Sequence, residues 1–282
     1  MFSNSYLLAK NYTHPVIISY RFYSGTVKSG LGAFVIINNE GWIITAAHML
    51  NPTFLYNQHK LEIEKYKNNL LTKIKNLDLK HLFPQNKWIT NYSFWWSNDI
   101  FRINNFIVLI ENDLAIGKIE NYTPNYQNAY PIFKNPNNLK YGTNLCKIGY
   151  PFYEVKTKFN SETKNFEIDP NIFPIPIFPI DGILTRTILA GKSKDNRYDI
   201  KYIETSTPGL KGQSGGPIFD INGHIWGIQS KTQHLSLGFS PKVKKGKKEI
   251  EENQFLNIGW GAHVDTIIKF LTANNVRHSV SD

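Results

Sequence analysis

Short runs of β-branched and aromatic residues, each closed off by Gly, Pro or Asn, constrain this chain most. Residues 15–22 (Pro-Val-Ile-Ile-Ser-Tyr-Arg-Phe), 33–37, 42–45, 106–110, 145–148, 183–189, 198–205, 217–219, 225–230 and 255–263 all have strand length and strand composition. Asn38-Asn39-Glu40-Gly41 and Asn222-Gly223 are hairpin signals between such runs. Only two stretches read as helix. Leu61, Tyr66, Leu70, Ile74 and Leu77 recur at roughly helical spacing within residues 58–80. Asp265 is expected to cap a closing helix through about Ala273, with Ile267, Ile268 and Leu271 on one side. Many turn-marked strands with one inserted and one closing helix predict a mainly β, antiparallel architecture. Two excursions interrupt it. Residues 152–181 carry Pro170, Pro174, Pro176 and Pro179, and proline denies a ladder its hydrogen bond, so no central strand is expected there. Residues 233–253 read as a long polar loop.

At 282 residues and 41% apolar content the chain can bury a substantial core, as one large domain or two small ones. A single cysteine allows no internal disulfide, which points to a reducing compartment. Cys146 falls in a strand and reads as a core thiol. No run of 18 apolar residues is present, and the first residues lack a basic segment followed by a long apolar one. A cytoplasmic protein with no membrane span is expected. The net charge of +10 raises nucleic acid as a partner. However, the densest cluster (Lys242, Lys244, Lys245, Lys247, Lys248) runs directly into Glu249, Glu251 and Glu252, as a solvated loop does. The eight histidines are dispersed without ligand spacing, so no metal and no other cofactor is expected. Trp88, Tyr92, Phe94, Trp95 and Trp96 form an aromatic patch, suited to packing or, at an exposed rim, to a partner.

Chemistry concentrates at Gly212-Gln213-Ser214-Gly215-Gly216-Pro217. Glycines let the backbone approach a ligand closely, and a serine presented between them can attack a carbonyl. Serine is a weak nucleophile at neutral pH and needs a base, for which imidazole is suited, oriented by a carboxylate. His48 follows an apolar strand through Ala46 and Ala47. Asp113 follows another strand and precedes Leu114-Ala115.

In that order, Thr45-Ala46-Ala47-His48, Asn112-Asp113-Leu114-Ala115 and Gly212 to Pro217 resemble the three active-site motifs of the trypsin-like (chymotrypsin-fold) serine proteases, nearest the HtrA-like bacterial branch. Gly149-Tyr150-Pro151, Gly182-Ile183-Leu184 and Ile258 to Ala262 resemble strand motifs of the same family, and the likeness spans about residues 15–275. It implies a single protease domain of two packed antiparallel six-stranded barrels. The first covers about 12–125 with a helical insertion at 55–100, and the second about 139–264 with loop insertions at 152–181 and 233–253. A closing helix at 265–275 follows; in a departure from the HtrA-like pattern, no PDZ domain is expected after it. It further implies Ser214 as nucleophile, His48 as base then acid, Asp113 as orienting carboxylate, and the N–H groups of Gly212 and Ser214 as oxyanion hole. Pro208 would lie at the base of the specificity pocket, Ser230 and Thr232 on one wall, and Gly259 on another. With no acidic residue between Thr205 and Gln213, a small or medium apolar side chain before the scissile bond is expected. The substrate would be a protein or peptide. Loops 152–181 and 233–253 are expected to gate the site, and they or the aromatic patch at 88–96 could take a regulatory protein. A protease-like module that binds a partner without efficient catalysis is the competing reading.

Overall fold

A computed structural model describes residues 1–75, 85–95, 103–124, 129–246 and 248–282. The chain opens with a helix that the sequence pattern did not announce, α1 (Ser3–Tyr12). Its buried positions are Ser5, Ala9 and Tyr12, two of them small, so its inward face carries little hydrophobic signal.

The β-branched run that follows is β1 (Thr13–Phe22), paired antiparallel with β2 (Val27–Ile36) from Thr13 opposite Val35 to Arg21 opposite Val27. β3 (Trp42–Ala46) follows the predicted turn, where Gly41 takes a φ of +80° and Asn38 Oδ1 accepts from Glu40 N–H at 3.0 Å. The inserted helix, α2 (Asn51–Lys75), begins seven residues earlier than the spacing suggested; the predicted end at 76–80 lies outside the described residues. It packs on β4 (Ile89–Trp95) through the aromatic patch. Tyr66 meets Trp88, Tyr56 meets Tyr92, and Trp88 donates its indole N–H to Glu62 at 2.8 Å. Those rings therefore serve packing first; Trp96 lies outside the described residues. β5 (Ile103–Leu109) and β6 (Leu114–Ile119) complete a six-stranded sheet of order β4-β1-β2-β3-β6-β5. It curls until Phe94 and Phe106 on its two edges touch edge to face, at 5.5 Å between ring centres.

The second half starts with β7 (Ile132–Phe133) and β8 (Asn144–Gly149). The excursion at 152–181 holds a small hairpin, β9 (Thr157–Asn160) with β10 (Asn165–Ile168). Its end is already strand, because β11 spans Phe178–Lys192 and Pro179 pairs with Ile148. Over 178–183 β11 pairs only with β8, and the partner on its other side, β12 (Asp199–Thr205), joins from Leu184 onward. One free side is what lets a strand hold a proline. β13 (Pro217–Phe219) and β14 (Ile225–Ser236) flank the Asn222-Gly223 turn. The stretch 233–253 is not the loop expected. β14 continues through it to Ser236, then β15 (Lys242–Lys245) and β16 (Lys248–Glu251) form a hairpin before β17 (Phe255–His263) returns alongside β14. The long ladder between β14 and β17 supplies the backbone partners that polar side chains alone do not advertise. The ladders run β13-β8-β11-β12-β17-β14 and back to β13, closing a six-stranded barrel to which β7 and β18 (Ser279–Val280) are added.

The closing helix is α3 (Val264–Ala273), capped by His263 and not by Asp265: His263 Nδ1 accepts from Asp265 N–H at 3.0 Å. Val264, Ile267 and Leu271 are fully buried against both halves. The cluster they join includes Val35, Ile44 and Ile116 from the first sheet and Cys146, Ile148 and Phe219 from the second. The expected core position of Cys146 holds, at 2% exposure.

Candidate active site

β3 delivers its last residues, Thr45 and Ala46, into the core and then breaks into a single 3₁₀ turn, Ala47–Leu50. Ala47 and Met49 are buried, and His48 alone of these stands out, with 40% of its side chain exposed. Asp113 ends a second 3₁₀ turn in the left-handed region at φ 54°, a conformation that Asp tolerates better than most residues. The kink brings its backbone and carboxylate together onto the histidine turn. Asp113 C=O accepts from Ala47 N–H at 3.0 Å, Oδ1 accepts from His48 N–H at 2.8 Å, and Oδ2 lies 2.8 Å from His48 Nδ1. Ser230 Oγ on β14 donates to the same Oδ2 at 2.6 Å, so the second barrel also holds the carboxylate. Burial by itself would push the Asp113 carboxyl up. The hydrogen bonds and charge of His48, with the Ser230 bond, outweigh it and hold the group below the usual carboxylate range. An ionised Asp113 fixes the proton on His48 Nδ1 and leaves Nε2 as an acceptor.

The Ser214 loop is clamped between the barrels. Ser214 C=O accepts from Ala33 N–H on β2 at 2.8 Å, and Gly215 N–H donates to Gln229 C=O at 2.8 Å. Glycine is required at 212 and 215, with φ of +100° and +84°. A Cβ on Gly215 would lie 2.0 Å from Ala33 O, and one on Gly212 would lie 2.4 Å from Tyr150 O. Tyr150 N–H binds Gly212 C=O at 2.8 Å, and Gln213 N–H turns inward to Leu210 C=O at 2.9 Å. Among the described residues, the N–H groups of Gly212 and Ser214 donate to no protein acceptor, the condition for a pair of donors kept for a ligand. No hydrogen bond joins Ser214 Oγ to His48 among the described residues.

The residues expected to line a specificity pocket are joined to their surroundings by hydrogen bonds. Thr232 Oγ1 donates to Gly209 C=O, tying the wall to the base segment beside Pro208. Gly259 C=O accepts from Thr205 Oγ1 at 3.3 Å. Ser230 gives its hydroxyl to Asp113, so its side chain supports the carboxylate. Two buried polar side chains lie beside these positions. Lys147 on β8, only 1% exposed, reaches Pro208 C=O at 2.9 Å, Thr207 C=O at 2.6 Å and Thr205 Oγ1 at 3.0 Å. Gln229, also 1% exposed, donates to Lys231 C=O and Trp260 C=O at 3.1 Å each. Lys147 escaped the sequence reading; its signal is a lysine at an inward position of β8, where an apolar residue belongs.

The family of trypsin-like peptidase domains matches residues 30–228. No curated protein matches the chain. Among solved structures, the active form of the Rv3671c protease from M. tuberculosis is similar at a TM-score of 0.51 and 13% identity, over 99% of this chain and 88% of that one. The HtrA-type protease AlgW is similar in two peptide complexes. The decapeptide complex gives a TM-score of 0.50 and 13% identity over 98% of this chain and 68% of that one. The tripeptide complex gives 0.50 and 16% over 98% and 64%.

Proposed function

Because the chain belongs to the trypsin-like peptidase family, we propose that it is a serine endopeptidase working through His48, Asp113 and Ser214 and an acyl-enzyme intermediate. Ser214 Oγ attacks the scissile carbonyl carbon while its proton passes to His48 Nε2. The new oxyanion takes hydrogen bonds from Gly212 N–H and Ser214 N–H. The C–N bond then breaks as His48 returns the proton to the leaving amine. Water enters, gives its proton to His48 and attacks the acyl carbon, and the proton goes back to Ser214 Oγ as the acid leaves. Throughout, Asp113 keeps the imidazole in its working tautomer.

The observation that carries this reading is the doubly bonded Asp113–His48 pair, beside a loop whose two N–H groups have no protein acceptor among the described residues. The test is cleavage of a diverse peptide mixture by the wild type and by Ser214→Ala. New peptide termini produced by the first alone are expected; the same termini from both proteins would overturn it.

Residues 152–181 act on this site through Tyr150. The excursion anchors Val155 and Ile175 in one cluster with Tyr150 and with Ile17, Leu31 and Ala33 of the first barrel, while Tyr150 N–H holds Gly212 C=O. Order in the excursion is thereby coupled to the backbone that supplies the oxyanion donors. The hairpin arm at 233–253, continuous with the β14 strand that carries Ser230, is a second point of control.

A protease-like module that holds a protein partner draws its support from the missing Ser214–His48 hydrogen bond. Catalytic hydrogen bonds often tighten only when substrate is bound, which favours the enzyme.

A further inference from the structure

Leu145, Lys147 and Gly149 share one face of β8. Leu145 packs with Leu184, Ile203 and Ile218 inside the second barrel. A Cβ on Gly149 would lie 2.6 Å from the Cα of Gln213, so that end of the face lies under the nucleophile loop. Lys147 stands between them and is 1% exposed. Its ammonium meets the base of the predicted pocket, through Thr207 and Pro208 C=O, and its far wall, where a Cβ on Gly259 would come within 2.9 Å of Nζ. Among the described residues no carboxylate pairs with it. On the adjoining strand β11, Asp181 stands opposite Cys146 while Ile180 stands opposite Lys147, so Asp181 projects from the other face of the sheet. Glu204 on β12, next to Thr205, is held by Arg186 at 2.7 Å, by Thr185 and by Trp260. The neighbouring Cys146 thiol is pushed up to about 12 by burial and carries no charge. A buried cation contacting only neutral oxygens is costly, and an incoming anion relieves that cost.

We propose that Lys147 makes this pocket select an acidic side chain, glutamate foremost, at the residue before the scissile bond. The proposal rests on the reading of Ser214 as nucleophile and replaces the apolar preference expected from sequence. Gln229 sharpens the choice of comparator. Its carboxamide packs where a side chain at Gly209 would stand, and its Oε1 has no partner among the described residues, so a glutamine substrate could use both groups without charge. Glutamate against glutamine isolates the ammonium.

The test uses peptides identical except for Glu, Gln, Ala or Arg at one central position. The wild type is expected to cleave after Glu with a kcat/KM about tenfold or more above Gln at pH 6, a ratio that one charge interaction supplies. Burial lowers the Lys147 ammonium to about 7, so the Glu-to-Gln ratio should fall as pH rises through that value, because the cation is lost while the glutamate stays ionised. Lys147→Met should bring the ratio near one. Should that variant not fold, the wild-type ratio and its pH dependence still decide. Binding of the same peptides to Ser214→Ala, by fluorescence polarisation, separates the two readings. Equal affinity for Glu and Gln, or preference for Gln or Ala, overturns the inference. Glu-selective binding without any cleavage by the wild type overturns the hydrolase reading and supports the pocket.

Discussion

Asp113 is the residue on which the site turns, because it collects four hydrogen bonds from two barrels: Ala47 and His48 backbone N–H, His48 Nδ1 and Ser230 Oγ. Asp113→Asn keeps the shape but reverses the hydrogen-bond roles, so His48 takes the wrong tautomer. kcat should fall by about 10⁴-fold with little change in melting temperature, the size seen for this change in a serine-protease triad. Ser230→Ala removes one bond to an ionised carboxylate, worth about 1.5–3 kcal/mol, and should lower kcat by about tenfold or more while leaving KM largely unchanged. A loss confined to KM would return Ser230 to the pocket wall. His48, Asp113 and Ser214 were legible in the sequence because each sits in a local motif of small residues and strand ends. The bonds of Ser230 to Asp113 and of Lys147 to Thr205 were not, because they span 117 and 58 positions and no local pattern reports such pairing.

At the level of elements, strands were read from β-branched runs and helices from spacing, and the failures follow from what those signals omit. α1 buries small residues, β11 holds Pro179 on a one-sided stretch, and β14 carries its strand into polar residues because β17 lies beside it. The cap of α3 was misplaced by two residues because Asp is the commoner capping residue, while His263 makes the bond. His263 is 5% exposed, and burial lowers its imidazole to about 4 despite the nearby Asp265 carboxylate. Between about pH 4 and the unfolded value near 6.5 the unfolded chain binds the extra proton, so stability falls as pH drops through that window. His263→Asn keeps an acceptor at the cap without a titrating group, and the slope of melting temperature against pH between 6.5 and 4 should be shallower than in the wild type. An unchanged slope would contradict this. Gly149→Ala places a methyl 2.6 Å from Gln213 Cα, and should cost activity through the displaced oxyanion backbone more than it costs stability.

At the scale of the molecule, two barrels meet over a shared cluster, and the clamped loop between Ala33 and Gln229 brings Ser214 to that junction. The excursion spans the same junction, with Ser29 on β2 and Thr157 on β9 joined at 2.7 Å. Deleting residues 155–178 should leave a folded protein of reduced activity, read as kcat/KM on a good substrate; full activity would separate the excursion from the site. The central claim is that Ser214 is an activated nucleophile. Treatment of the intact protein with an uncharged fluorophosphonate, read by mass spectrometry, tests it most directly. A single adduct mapped to Ser214 and absent from both Ser214→Ala and His48→Ala is the result expected. No adduct on the wild type, or one that survives in Ser214→Ala, would contradict it.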